Sequence, residues 1–96
     1  MRVSYLAAAR SDLESIWLFG ANLWSIALAD RYASELDAMI RRLTANPGKG
    51  VATPQTSPGL RRLIFRSHAI FYRVEDDGVV IVRVLHQSAD AGRWVG

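Results

Sequence analysis

Arginine is the residue of this chain best suited to do chemistry on an anion. Arg61, Arg66, Arg73 and Arg83 stand in or beside segments rich in β-formers, and Arg93 is followed by Trp94 near the C-terminus. From Ala38 to Val74 the sequence carries Arg41, Arg42, Lys49, Arg61, Arg62, Arg66 and Arg73 with no acidic residue. The formal net charge is only +3, so the asymmetry rather than the total points to an anionic partner, either nucleic acid or an acidic protein segment. A solvated basic face is the competing reading of the same run.

Cutting RNA would demand more. A base must take the 2′-hydroxyl proton, an acid must protonate the leaving oxygen, and cations must hold the phosphate. Lys49 is the only lysine, and no tyrosine follows Tyr72. Arginine is too weak an acid to pass protons readily. Histidine is the side chain that can exchange a proton near neutral pH, so His86 is the one candidate to carry it, although it reads more readily as a strand-end histidine bonded to backbone. His68 reads as a turn residue. There is no cysteine, and no metal-ligand spacing, phosphate loop or nucleophilic triad is evident. The sequence favours binding over catalysis, with no cofactor and no metal.

The elements that must position these groups are legible in part. A length of 96 residues predicts one domain, 1–96. Half of the chain is apolar, enough for one core without disulfides. The opening residues do not have the pattern of a secretory leader, and the lack of cysteine fits the cytoplasm. The apolar run from Ile16 to Ala29 is broken by Gly20, Asn22 and Ser25, and is too short for a membrane span of roughly 20 residues.

Val3 to Leu6 alternates like a short strand. Leu13, Ile16, Trp17, Gly20 and Trp24 recur at helical spacing, predicting a helix over about 8–23 with those residues on one face. Asn22 to Ser25 makes a tight turn, with Ser25 capping a second helix over about 26–45. That helix carries a stripe of Ala29, Ala33, Leu36, Ile40 and Leu43 and is stopped by Asn46-Pro47-Gly48. Asn46 to Gly59 reads as an irregular loop. Strands follow over 60–65, 69–74 and 79–85, the last two joined at Asp76-Asp77-Gly78. Val79-Val80-Ile81-Val82 is apolar on both faces, predicting a central strand. The fold expected is α+β, β-α-α-β-β-β, a helical hairpin packed in two layers on a small antiparallel sheet.

Alternation sends some sheet arginines under the helices, where each would need a carboxylate such as Asp12 or Glu14. Internal pairing and target contact remain open for Arg61, Arg66, Arg73 and Arg83; Arg83 with His86 is the foremost functional pair. Trp94 either closes the core or joins Arg93 in a contact. Trp17, Trp24 and Phe71 are expected inside. Leu18 lies outward, and with Phe19, Leu23, Leu28, Tyr32 and Met39 it could edge an apolar groove for a partner helix.

Asp12-Leu13-x-x-Ile16-Trp17, Trp24 and Arg31-Tyr32 resemble the RelE/ParE toxin superfamily, and its ParE branch in particular. So do Asn46-Pro47, Pro58-Gly59-Leu60-Arg61, His68-x-x-Phe71-Tyr72-Arg73-Val74 and Arg83-Val84-Leu85-His86-Gln87. The resemblance spans nearly the whole chain, in order. It implies the toxin of a type II toxin–antitoxin system that binds DNA gyrase and stabilises its cleaved DNA complex. It also implies silencing by a ParD-like ribbon–helix–helix antitoxin, which would link the toxin to operator DNA. RelE relatives instead cut messenger RNA on the ribosome, and a non-toxic, antitoxin-binding co-repressor is a third possibility. The chain departs from the usual ParE pattern at Leu18-Phe19, commonly polar, at Ser25, commonly glycine, and at Ala89, commonly methionine.

Overall fold

A computed structural model describes residues 2–95. In chain order the elements are β1 (Arg2–Tyr5), α1 (Ala7–Leu23), α2 (Ile26–Arg42), a 3-10 turn (Pro47–Lys49), β2 (Val51–Ala52), β3 (Arg61–Phe65), β4 (His68–Glu75), β5 (Gly78–His86) and α3 (Ala91–Trp94). The sheet order is β1-β5-β4-β3-β2, with β1 parallel to β5 and every other pair antiparallel. The α+β architecture is the expected one, but the sheet is mixed rather than antiparallel because β1 joins it parallel to β5. β5 is an interior strand, as its doubly apolar sequence required, while β4 holds the middle.

The second helix begins where a side chain can satisfy it: Ser25 Oγ accepts from Leu28 N at 3.1 Å. Its last turn holds Arg41 and Arg42 at the negative end of the dipole. The helix stops at Arg42, and Leu43 to Ala45 continue as turns, so the expected end at Ala45 was three residues too long. Trp17 Nε1 donates to Asp30 Oδ1 at 2.7 Å, tying the two helices together.

Leu36, Ile40 and Leu43 meet Ile70, Tyr72, Val79, Ile81 and Val84 under the helical hairpin, with Ala9 closing one end. Removing one such leucine costs about 2–5 kcal/mol, because transfer and cavity terms add. The opposite face is covered too. Leu60, Ala69, Phe71, Val82 and Leu85 form a second, smaller core closed by Val95. The two-layer expectation did not include this tail-covered face.

A bulge connects the two cores. Phe71 pairs with Arg83 and Tyr72 with Ile81, so Val82 has no partner of its own. The extra residue resets the alternation. Ile81 and Val84 face the helices, while Val82 and Leu85 face the tail.

The segment expected to be an irregular loop is more ordered than its composition suggests. Tyr72, wholly buried, donates from its hydroxyl to Pro47 O at 2.6 Å and accepts from Gly50 N at 2.8 Å. Val51 and Ala52 then pair with Arg62 and Arg61. Gly78 is required by a close approach, since a Cβ there would collide with the Arg2 carbonyl as β1 packs alongside.

Candidate interaction surfaces

β1 pairs with β5 only as far as Ile81. Beyond that point the β1-facing edge of β5 lies open, and the first turns of α1 run beside it. Asp12 fills the gap. Its carboxylate accepts from Val84 N at 2.9 Å and from Arg83 Nε and Nη2, both at 2.7 Å. The pair is largely buried, and its bidentate geometry is the strong form of such contacts. Hydrogen bonding to Asp12 pushes the Arg83 guanidinium pKa above its usual value, against the opposing effect of desolvation. Arg83 also donates to Trp94 O at 3.2 Å and stacks on the Trp94 ring. It therefore joins α1, β5 and the C-terminal helix in one contact.

Arg61, Arg73 and Arg66 are likewise engaged. Arg61 holds the Gly48 and Gly50 carbonyls. Arg73 donates to Pro58 O at 2.6 Å and Ser57 Oγ at 2.9 Å, pinning the loop before β3. Arg66, in the two-residue turn between β3 and β4, has a left-handed φ of 54°. It pairs with Glu35 at 2.6 Å and lies over the Phe65 and Tyr32 rings. Arg93 is exposed, with no side-chain partner among the described residues, and Trp94 is exposed beside it.

Two histidines that sequence spacing kept apart are brought together. His68 and His86 are cross-strand partners, with ring centroids 6.0 Å apart. His68 Nδ1 lies 2.6 Å from Tyr32 Oη, and burial followed by the nearby His86 lowers its pKa. His86 Nδ1 accepts from Ser88 N at 3.2 Å and lies 2.7 Å from Ser88 Oγ. That backbone donor makes Nδ1 an acceptor, leaving the proton on Nε2. His86 is thus a strand-end histidine held by local backbone, while Arg83, the other member of the foremost expected pair, is engaged by Asp12 and Trp94. The spacing of the two histidines carried no signal of their meeting; the β4–β5 register does.

Both imidazoles open on a cavity of about 590 Å³ lined by Asp12, Ile16, Phe19, Trp24, Val84 and Leu85. Trp24, expected in the core, is 61% exposed here. It sits after the last helical residue of α1, where its ring walls the cavity instead of entering it. Leu18, Phe19, Leu23 and Leu28 are exposed as expected, and Ile26 extends the same apolar tip. Tyr32 and Met39, placed on the groove edge by spacing alone, are partly buried against the main core. Helical periodicity cannot tell an outward apolar residue from one the sheet reaches around to cover.

The family model described as the ParE toxin of the type II toxin–antitoxin system parDE matches residues 3–91. Toxin ParE1 of Mycobacterium tuberculosis is 42% identical over 87 residues, covering 90% of this chain and 89% of the relative. Toxin ParE1 of Caulobacter vibrioides is 40% identical over 88 residues, covering 92% and 91%. A solved structure described as the chromosomal ParDE TA system from P. aeruginosa shares the fold. It aligns with a TM-score of 0.78 at 20% identity, over 90% of this chain and 95% of that one. An apolar helical tip, an arginine-laced sheet and sequence similarity along nearly the whole chain converge, and the chain belongs to the ParE toxin family of type II toxin–antitoxin systems.

Proposed function

We propose that this ParE-type toxin acts by binding DNA gyrase and stabilising its cleaved DNA complex, and that a ParD-like ribbon–helix–helix antitoxin silences it in the cytoplasm. The observation that carries the antitoxin half is the cavity at the open β5 edge, continuous with exposed Phe19 and Trp24. Large clustered apolar side chains left in water mark a protein interface. A partner helix laid there would cover its apolar face, while acids flanking it would meet Arg31 and Arg66. The gyrase half rests on the family assignment. Purified toxin added to gyrase and supercoiled DNA is expected to accumulate double-strand breaks, and antitoxin is expected to abolish them. Intact DNA at toxin excess would overturn the gyrase reading.

Message cleavage on the ribosome is the second reading, and the His68–His86 pair beside Tyr32 favours it. Two imidazoles at a groove could share acid and base roles. Messages cut at codons in a ribosome-bound assay would establish it.

A further inference from the structure

Five arginines stand on β3, β4, β5 or the turn between β3 and β4. Arg61, Arg66, Arg73 and Arg83 each hold two or more acceptor atoms. Arg62 is the exception. It is half-buried on β3 opposite Phe71, and among the described residues its guanidinium has no hydrogen bond, ion pair or ring contact. Holding a charge partly out of water without an acceptor is costly. The helices and loops around the sheet supply acceptors to each of the other four, and among the described residues none to Arg62.

Arg62 opens on the face away from the helical hairpin. It lines a cavity of about 240 Å³ whose floor includes Phe71 and whose walls include Thr53, Gln55, Thr56 and Gln87. Thr53 Oγ1 is already spent on the Leu60 carbonyl at 3.0 Å. No carboxylate is among the lining residues. The Thr56 hydroxyl and the two glutamine amides can donate, and the His86 ring also lines the cavity, so one unpaired guanidinium stands among several neutral donors. A guanidinium fork fits two oxygens of an anion side by side. The neutral donors lining the same cavity then suit a third or fourth oxygen, which a tetrahedral oxyanion has and a carboxylate lacks.

We propose that Arg62, with Gln55, Thr56 and Gln87, forms a binding site for a phosphate-class oxyanion, carried by a nucleic-acid backbone or free in solution. The site opens beside the tail-covered face of the sheet and shares only His86 with the lining of the groove proposed for the antitoxin, and it stands whether or not gyrase is the target.

The test follows the Arg62 Nε–H and the Thr56 and Gln87 amides by NMR in the full chain. The probes are inorganic phosphate, a short DNA duplex and acetate at matched ionic strength. Phosphate or duplex is expected to give saturable shifts that acetate does not. R62Q should abolish them while K49Q, at an exposed cation, leaves them intact. Both variants should keep the wild-type melting temperature. If the duplex binds, R62Q should reduce the slope of log affinity against log salt by about 0.9, one phosphate contact. Shifts with phosphate alone assign the site to a small anion; shifts with duplex assign it to the nucleic-acid backbone. No saturable response to either, an equal response to acetate, or an undiminished response in R62Q would overturn the proposal.

Discussion

The carboxylate of Asp12 and the guanidinium of Arg83, 71 positions apart, meet with two contacts of 2.7 Å, and the same carboxylate caps the Val84 amide. Three donors thus depend on one side chain. Asp12→Ala leaves a largely buried cation and a strand amide without their acceptor. Breaking one side of such a pair costs about 3 kcal/mol. Denaturant unfolding should show a loss of that order, and a midpoint within error of wild type would refute the assignment. Arg83→Ala should also destabilise, so its effect on growth speaks to target contact only if the variant is shown to be folded.

Leu18→Glu and Phe19→Glu separate binding from folding. Both side chains are mostly in water, at 54% and 65% exposure, so each variant should lie within about 0.5 kcal/mol of wild-type stability. Phe19 lines the β5-edge cavity and Leu18 does not. Phe19→Glu should therefore weaken antitoxin binding by about 2 kcal/mol or more, the level of an interface hot spot, and Leu18→Glu by less. Titration calorimetry giving unchanged affinity for both would remove the groove as the antitoxin site.

His68 gives the fold a pH dependence of known sign. Its folded pKa lies below 6.5, lowered first by burial and then by His86. An unfolded histidine protonates near 6.5. As pH falls through that value the unfolded chain takes up the proton first, so stability declines below it. Wild type should unfold at lower denaturant at pH 5.5 than at pH 7.5, and His68→Gln should narrow the gap. An equal gap in the variant would assign the effect to other groups.

The C-terminal segment is a poor place to test toxicity by truncation. Val95 is buried over Phe71, Val82 and Leu85, and its loss gives up about 1.5 kcal/mol of apolar burial. Deleting residues from Arg93 onward should lower the melting temperature and abolish toxicity together. Arg93→Gln, at an exposed side chain, should leave the melting temperature unchanged, so a change in growth inhibition would report target contact directly.

What the sequence made legible follows from periodicity. Leu36 and Ile40 recur at helical spacing and are buried. Val79 to Val82 is apolar on both faces, and both faces of β5 are covered. The failures have physical causes. The bulge at Val82 breaks the period-2 rule, so the face of Arg83 could not be inferred by counting from Val79. β2 is two residues long and exposed, with its order coming from Tyr72 and Arg61 rather than from its own composition. The second core is assembled from Leu60, Phe71, Leu85 and Val95, which share no local pattern. The His68–His86 contact and the isolation of Arg62 depend on strand register, which hydropathy does not encode.

The pairing of β1 with β5 also bears on when the protein becomes active. β1 is satisfied by β5, which follows both long helices and three other strands in the chain, so the sheet cannot close until synthesis has passed β5. Until then the β5 edge, its Asp12 cap and the cavity beside them do not exist. A nascent chain stalled before Gly78 would have neither the groove proposed for the antitoxin nor a completed sheet.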